Sequence, residues 1–124
     1  VGDVVSRLAE CCQAATRAGI PADRQAIDPG IGFGKSAEGC LQLLGSLGRF
    51  GCLGRSVLVG ASRKSFIGEV LNQPKPEDRL IGSLGCAALA AEKGAHILRT
   101  HDPKETLEIV KIVEAIQGQT RTST

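Results

Sequence analysis

The sequence predicts an α/β fold whose strands run parallel, and three observations carry that prediction. The run SVLVG, residues 56–60, is apolar at successive positions after Ser56, the pattern of a strand covered on both faces. Two further short extended runs, QAID and AHILR, place the three strand ends near residues 28, 60 and 99. A loop and a helical segment follow each strand, and spacings of 32 and 39 residues suit right-handed parallel crossovers. The expected order is α-βα-βα(α)-βα.

Each element has its own signal. VVSRLAECCQAATRAG carries Val4, Val5, Leu8, Cys12 and Ala15 on one side at helical spacing, with Gly19 as its stop and Pro21 beyond. QAID leads into the glycine-rich stretch DPGIGFGKS. Leu41, Leu43, Leu44, Leu47 and Phe50 then predict one helix closed by Gly51. After SVLVG come a turn, ASRK, and a short helix, SFIGEVL. NQPKPE reads as a linker, its two prolines flanking Lys75. In the long helix RLIGSLGCAALAAEKG, the small residues Gly82, Gly85, Ala88 and Ala91 predict close packing. AHILR is the last strand, THDP a turn, KETLEIVKIVEAI an amphipathic helix, and TRTST a frayed tail. There is no internal repeat and no low-complexity segment.

Composition narrows the function. The chain has 124 residues, one domain or part of one, enough to bury roughly two-thirds of its extended surface. Fifteen basic against 13 acidic residues give a net charge of +2, too weak a field to argue for nucleic acid or membrane. With no Trp, no Tyr and three Phe, base stacking is poorly supplied. Five cysteines without C-x-x-C, and no His at metal spacing, read as small buried hydrophobes in a reducing cytoplasm. No metal site is expected in this chain. No apolar run approaches the ~18 residues of a membrane span. Val1 begins no signal peptide, and the expectation is that the chain starts mid-protein.

DPGIGFGKS looks like a phosphate loop and is not one. That pattern needs a glycine five positions before Gly34, where Pro29 stands, with no N–H to offer. The dinucleotide pattern fails too, because Lys35 occupies its third glycine position. The unusual residues instead collect after the strands: Asp28 after the first, Ser62, Arg63, Lys64 and Ser65 after the second, Arg99, His101 and Asp102 after the third. In parallel α/β folds that is where ligands bind. Asp28 could pair two adjacent N–H groups, as on a 2-aminopyrimidinone edge, or cap its own turn. Phe33 among glycines either plugs the core or folds over a ligand. Lys64 and Ser65 at a helix start offer a seat for a carboxylate or phosphate; the alternative is two solvated cations, Arg63 and Lys64. Arg99 and His101, two apart on an extended segment, share a face with Ile97 and suggest an anion site, or an ion pair with Asp102 or Glu105. His96 reads as structural.

IDPGIGFGKS, LVGASRKSFIG and GAHILRTHD, in this order and spacing, closely resemble dihydropteroate synthases of folate biosynthesis, over essentially the whole chain. The resemblance implies a TIM (β/α)₈ barrel, of which residues 1–124 would be the C-terminal part, with the first half absent. It implies condensation of p-aminobenzoate with 6-hydroxymethyl-7,8-dihydropterin diphosphate, releasing diphosphate, in a family of sulfonamide targets. Mg²⁺ would accompany the leaving group, with its protein ligand in the missing half. By the same resemblance Asp28, Lys64 and Gly60 would hold the pterin, and Phe33, Arg63 and Ser65 would line the p-aminobenzoate pocket. Arg99 and His101 would grip the diphosphate, so that Lys64, Arg99 and His101 carry the catalysis. The full-length family implies a homodimer. Two departures stand out: an Asn usual near Gly39-Cys40 is absent, and the family's RVHD appears as Arg99-Thr100-His101-Asp102. Alternatives from other classes are a non-catalytic half-barrel or interaction module and a methyltetrahydrofolate-binding domain; the latter has no diphosphate to hold.

Overall fold

The structure is a computed structural model that describes the backbone of residues 1–122 and the side chains of residues 1–119. In chain order its elements are α1 (Gly2–Arg17), β1 (Ala26–Ile27), α2 (Ala37–Gly45), β2 (Ser56–Val59), α3 (Ser65–Leu71), α4 (Leu80–Glu92), β3 (Ile97–Leu98) and α5 (Pro103–Thr122). Short 3₁₀ turns lie at Ala22–Arg24, Leu47–Leu53 and Pro76–Asp78. The strands form one parallel sheet in the order β1-β2-β3, with Ala26 opposite Ser56 and Leu58 opposite Ile97.

Alternation along the strands decides what is covered. Ile27, Val57 and Val59 turn to the helices and are buried with Leu43, Leu44, Leu47, Phe50, Phe66, Ile67 and Ala90 in one core. Full burial of each large side chain there contributes roughly 1.5–3 kcal/mol. The opposite face carries Ala26, Leu58 and Ile97, and Ile97 is 44% exposed. The expectation that SVLVG is covered on both faces is therefore corrected. Only its helix-facing half is buried: Leu58, on the other face, is half-buried between the exposed Ala26 and Ile97.

α1 stops as its sequence predicts. Gly19 adopts φ +97°, its N–H bonds Thr16 O at 3.0 Å and the Ile20 N–H bonds Ala15 O at 3.1 Å, closing the helix through a left-handed residue. The second predicted helix is different. It ends at Gly45, and a 3₁₀ segment continues to Leu53 with Gly54, not Gly51, as the left-handed stop. Glycines at 45 and 48 raise the cost of α-helix by about 1 kcal/mol each. In the tighter 3₁₀ winding, residues three apart eclipse, so Leu47 and Phe50 still reach the core together.

In α4, Gly82 marks a close approach. A Cβ there would clash with Ile67 Cγ2 and come within 2.9 Å of Leu71 Cδ1, whereas Gly85 has nothing within 4 Å and does not contribute as expected. The cysteines also depart from expectation. Cys12 and Cys40 are buried and Cys86 is half-buried, but Cys11 and Cys52 are exposed; none is in a disulfide. Of the expected tail, α5 continues through Thr122, and residues 123–124 lie outside the described residues. Among the described residues no helix is long and apolar enough to cross a membrane.

Candidate functional site at the carboxyl ends of the strands

The chain leaves all three strands at the same edge of the sheet, and the singled-out residues collect there. Gly60, Ser62, Arg63, Lys64, Arg99, Thr100 and His101 line one open cavity of about 440 Å³. Asp28 follows Ala26 by two residues and Arg99 follows Ile97 by two, so the register puts both on the face of Leu58 and Gly60. Asp28 itself borders the neighbouring cleft along α1, with Pro29 and Lys35. Lys64 lies between the two regions and feels the charges of both Asp28 and Arg99.

Lys64 also meets the glycine loop. Its side chain crosses Gly32, where φ is +88° and a Cβ would lie 2.8 Å from Lys64 Cδ, so only glycine leaves the path open. Lys64 Nζ donates to the Ile31 carbonyl and stands 4.5 Å from the centroid of Phe33, a cation–π distance. Phe33 is 64% exposed, so it is no core plug; Ile31 fills that role at 1%. Asp28 Oδ1 accepts the Gly30 N–H at 2.8 Å, so the aspartate does cap its own turn. Lys35 Nζ closes the loop by donating to the carbonyls of Gly30 and Phe33. Partial burial pushes the Lys64 ammonium pKa down; Asp28 and Cys40 oppose the shift, and the cations Arg99 and Lys35 add to it.

Behind the cavity, Ser62-Arg63-Lys64 is braced from α4. Arg63 adopts a left-handed φ of 57°, unusual for a side chain of its size. Its N–H donates to Ser83 Oγ at 2.8 Å, and its carbonyl accepts from Arg79 Nη1 at 2.9 Å. Arg79 spends its other donors on the carbonyls of Gln73 and Pro74. Arg63 is thus not a solvated cation: Nη2 and Nε reach the two oxygens of Asp102 at 2.8 and 3.3 Å. The acid considered as a partner for Arg99 or His101 is taken by Arg63 instead. Sequence reasoning missed the parts played by Lys35, Arg79 and Ser83. A lone serine in an apolar helix and an arginine closing a proline-rich linker were the available signals.

That pairing leaves Arg99 without a side-chain partner among the described residues. His101 Nδ1 lies 2.8 Å from Ser62 Oγ. Thr100 Oγ1 bonds Thr106 Oγ1 on α5 and accepts the Asp102 N–H. Ser65 is exposed at the first position of α3. His96 Nδ1 accepts the Val57 N–H at 3.0 Å, a structural role as expected.

Residues 1–101 match the family of pterin-binding enzymes. The chain belongs to that family. It is 47% identical to the dihydropteroate synthase of Escherichia coli over 111 residues, 90% of this chain and 38% of that protein. The Xanthomonas albilineans dihydropteroate synthase in complex with 7,8-dihydropteroate superposes with a TM-score of 0.92 at 44% identity, covering 94% of this chain and 45% of that one. The same enzyme with 4-aminobenzoic acid gives 0.92 and 44%, covering 94% and 43%. The fold is that of part of a (β/α)₈ barrel, and the chain spans less than half the length of these relatives.

In this pterin-binding family member, the residues of the cavity do not fit a magnesium ion. Asp102 is engaged by Arg63, Asp28 Oδ1 by the Gly30 N–H, and the groups facing the cavity are cations or donors. Among the described residues no three His, Cys, Asp or Glu side chains gather to hold a metal.

Proposed function

We propose that residues 1–124 form the C-terminal part of a single barrel domain of a dihydropteroate synthase. Such an enzyme condenses p-aminobenzoate with 6-hydroxymethyl-7,8-dihydropterin diphosphate and releases diphosphate. The observation that carries this reading is the cavity at the strand ends, where Arg99, exposed and without a side-chain partner among the described residues, lines one space with His101 and Lys64.

The chemistry follows from those groups. An aromatic amine keeps a free lone pair and needs no strong base, so the demanding step is departure of diphosphate from a carbon that develops positive charge. Arg99 and His101 would stabilise the departing oxygens, an electrostatic contribution realised most fully in the transition state. Lys64, with Gly60 and Asp28, would hold the pterin once Lys64 releases the Ile31 carbonyl. Phe33, freed from the lysine, would close over p-aminobenzoate beside Arg63 and Ser65. A closed loop would exclude water that could capture the cation.

The chain alone carries part of this site and is proposed to be inactive. Pairing of two copies in the complete enzyme is supported by exposed apolar side chains on α4 and α5, Ile81, Leu89 and Ile112. The test mixes the chain with a separately expressed first half, strands one to five, of a close relative. Dihydropteroate formation from p-aminobenzoate and the pterin diphosphate, with Mg²⁺ supplied, should appear in the mixture and in neither half. Turnover by the 124-residue chain alone would overturn the proposal that it carries only part of the site.

A further inference from the structure

We propose that Ser62 is a positioning residue for His101. Its hydroxyl orients the ring and places the neutral ring's proton on Nε2, leaving that N–H to donate to an anion in the cavity. The inference rests on the reading above in which His101 and Arg99 hold diphosphate.

Ser62 Oγ accepts the His101 backbone N–H at 3.0 Å and lies 2.8 Å from Nδ1 of the same residue. A hydroxyl has one proton to donate and two lone pairs. If Nδ1 carried the ring proton, Oγ would accept twice from His101. Its own proton would then find no acceptor among the described residues. If Oγ–H donates to Nδ1, the hydroxyl proton has its acceptor within the pair and the ring's N–H is at Nε2, left for an anion in the cavity that His101 lines. The other tautomer would set a bare Nε2 lone pair against that anion. The hydroxyl is fixed for this task because it opens the turn that Arg79 and Ser83 brace at Arg63. An imidazole whose remaining N–H is already assigned needs no tautomer change when an anion arrives, which is the preorganisation an electrostatic site requires.

The chain has two histidines, and the second supplies a control. His96 Nδ1 accepts the Val57 N–H on the sheet, so its neutral ring must also carry its proton on Nε2 as long as the fold holds. The experiment uses the 124-residue chain labelled with ¹⁵N-histidine, at about pH 8.5, some two units above the ordinary imidazole value of ~6.5. His101 should show an acceptor-type Nδ1 and an N–H-type Nε2. Ser62→Thr, which keeps the hydroxyl, should preserve that signature, and Ser62→Ala should replace it by a tautomer average while His96 is unchanged. A protonated Nδ1 in the parent chain would overturn the proposal, as would an unaltered His101 spectrum in Ser62→Ala. Loss of the His96 signature in that variant would also overturn it, since Ser62 would then be acting on the fold. Titration with inorganic diphosphate should show affinity falling about tenfold in Ser62→Ala and recovering in Ser62→Thr. A tautomer change with equal diphosphate affinity in all three chains would remove His101 from the anion site while leaving its coupling to Ser62 in place.

Discussion

Arg99 and Lys64 show how differently two cations of one cavity are treated. Arg99 has no side-chain partner among the described residues, so its charge is available to a ligand; Arg63, after the preceding strand, has already spent its fork on Asp102. Arg99→Ala should therefore weaken inorganic diphosphate binding by about 1.5–3 kcal/mol, the scale of a charged hydrogen bond. Calorimetry giving equal affinities for the two chains would count against the anion site. Lys64 is partly desolvated, and its folded pKa lies below the unfolded value of 10.5. Between the lowered pKa and 10.5 the unfolded chain binds more protons, so stability from this group rises with pH across that window. Urea melts over alkaline pH should show that rise in the parent chain and lose it in Lys64→Met; parallel pH profiles would refute the assignment.

At the scale of elements, the contact between α3 and α4 is set by a missing side chain. Gly82→Ala would push a methyl into Ile67 and Leu71, a cost of about 1–3 kcal/mol for overpacking, offset by about 1 kcal/mol of helix propensity. Gly85→Ala meets nothing within 4 Å and should be neutral or stabilising by up to about 1 kcal/mol. Chemical denaturation of the two variants should give shifts of opposite sign, and equal shifts would mean that the α3–α4 approach is looser than described. The same contact matters to the site, because α4 also presents Ser83, and Arg79 just ahead of it, to the Arg63 turn.

For the molecule as a whole, the sheet is covered on one face only. Ala26, Leu58 and Ile97 form an apolar strip without a covering layer among the described residues, and three parallel strands cannot close a barrel. The edges of β1 and β3 are likewise unpaired within the described sheet, a template for association. The isolated chain should therefore self-associate, as read by sedimentation at rising concentration, and the complementary half should suppress this as it restores turnover. A chain that stays monomeric at all concentrations would show that the strip is covered in some other way.

The strands and most helices were legible in the sequence because burial writes a period into it. Val57 and Val59, the 3.6-residue spacing of α1 and its Gly19 stop all follow from local rules. The edge at which the polar residues collect was legible too, because parallel strands must all end on one side, which fixed the company of Gly60, Lys64, Arg99 and His101. Local rules also misled where two choices cost nearly the same: glycines at 45 and 48 tipped a helix into 3₁₀ winding, and Leu58 looked covered because a buried and a bare strand face have the same apolar composition. Only the tertiary structure decided the partners. Asp102 could have served Arg99, His101 or Arg63, and it went to Arg63 because Ser83 and Arg79, some 20 residues along the chain, hold that residue in the left-handed turn that aims its side chain. Hydrogen bonds between groups so far apart in sequence leave no periodicity to read; they exist only once packing has brought α4 against the turn.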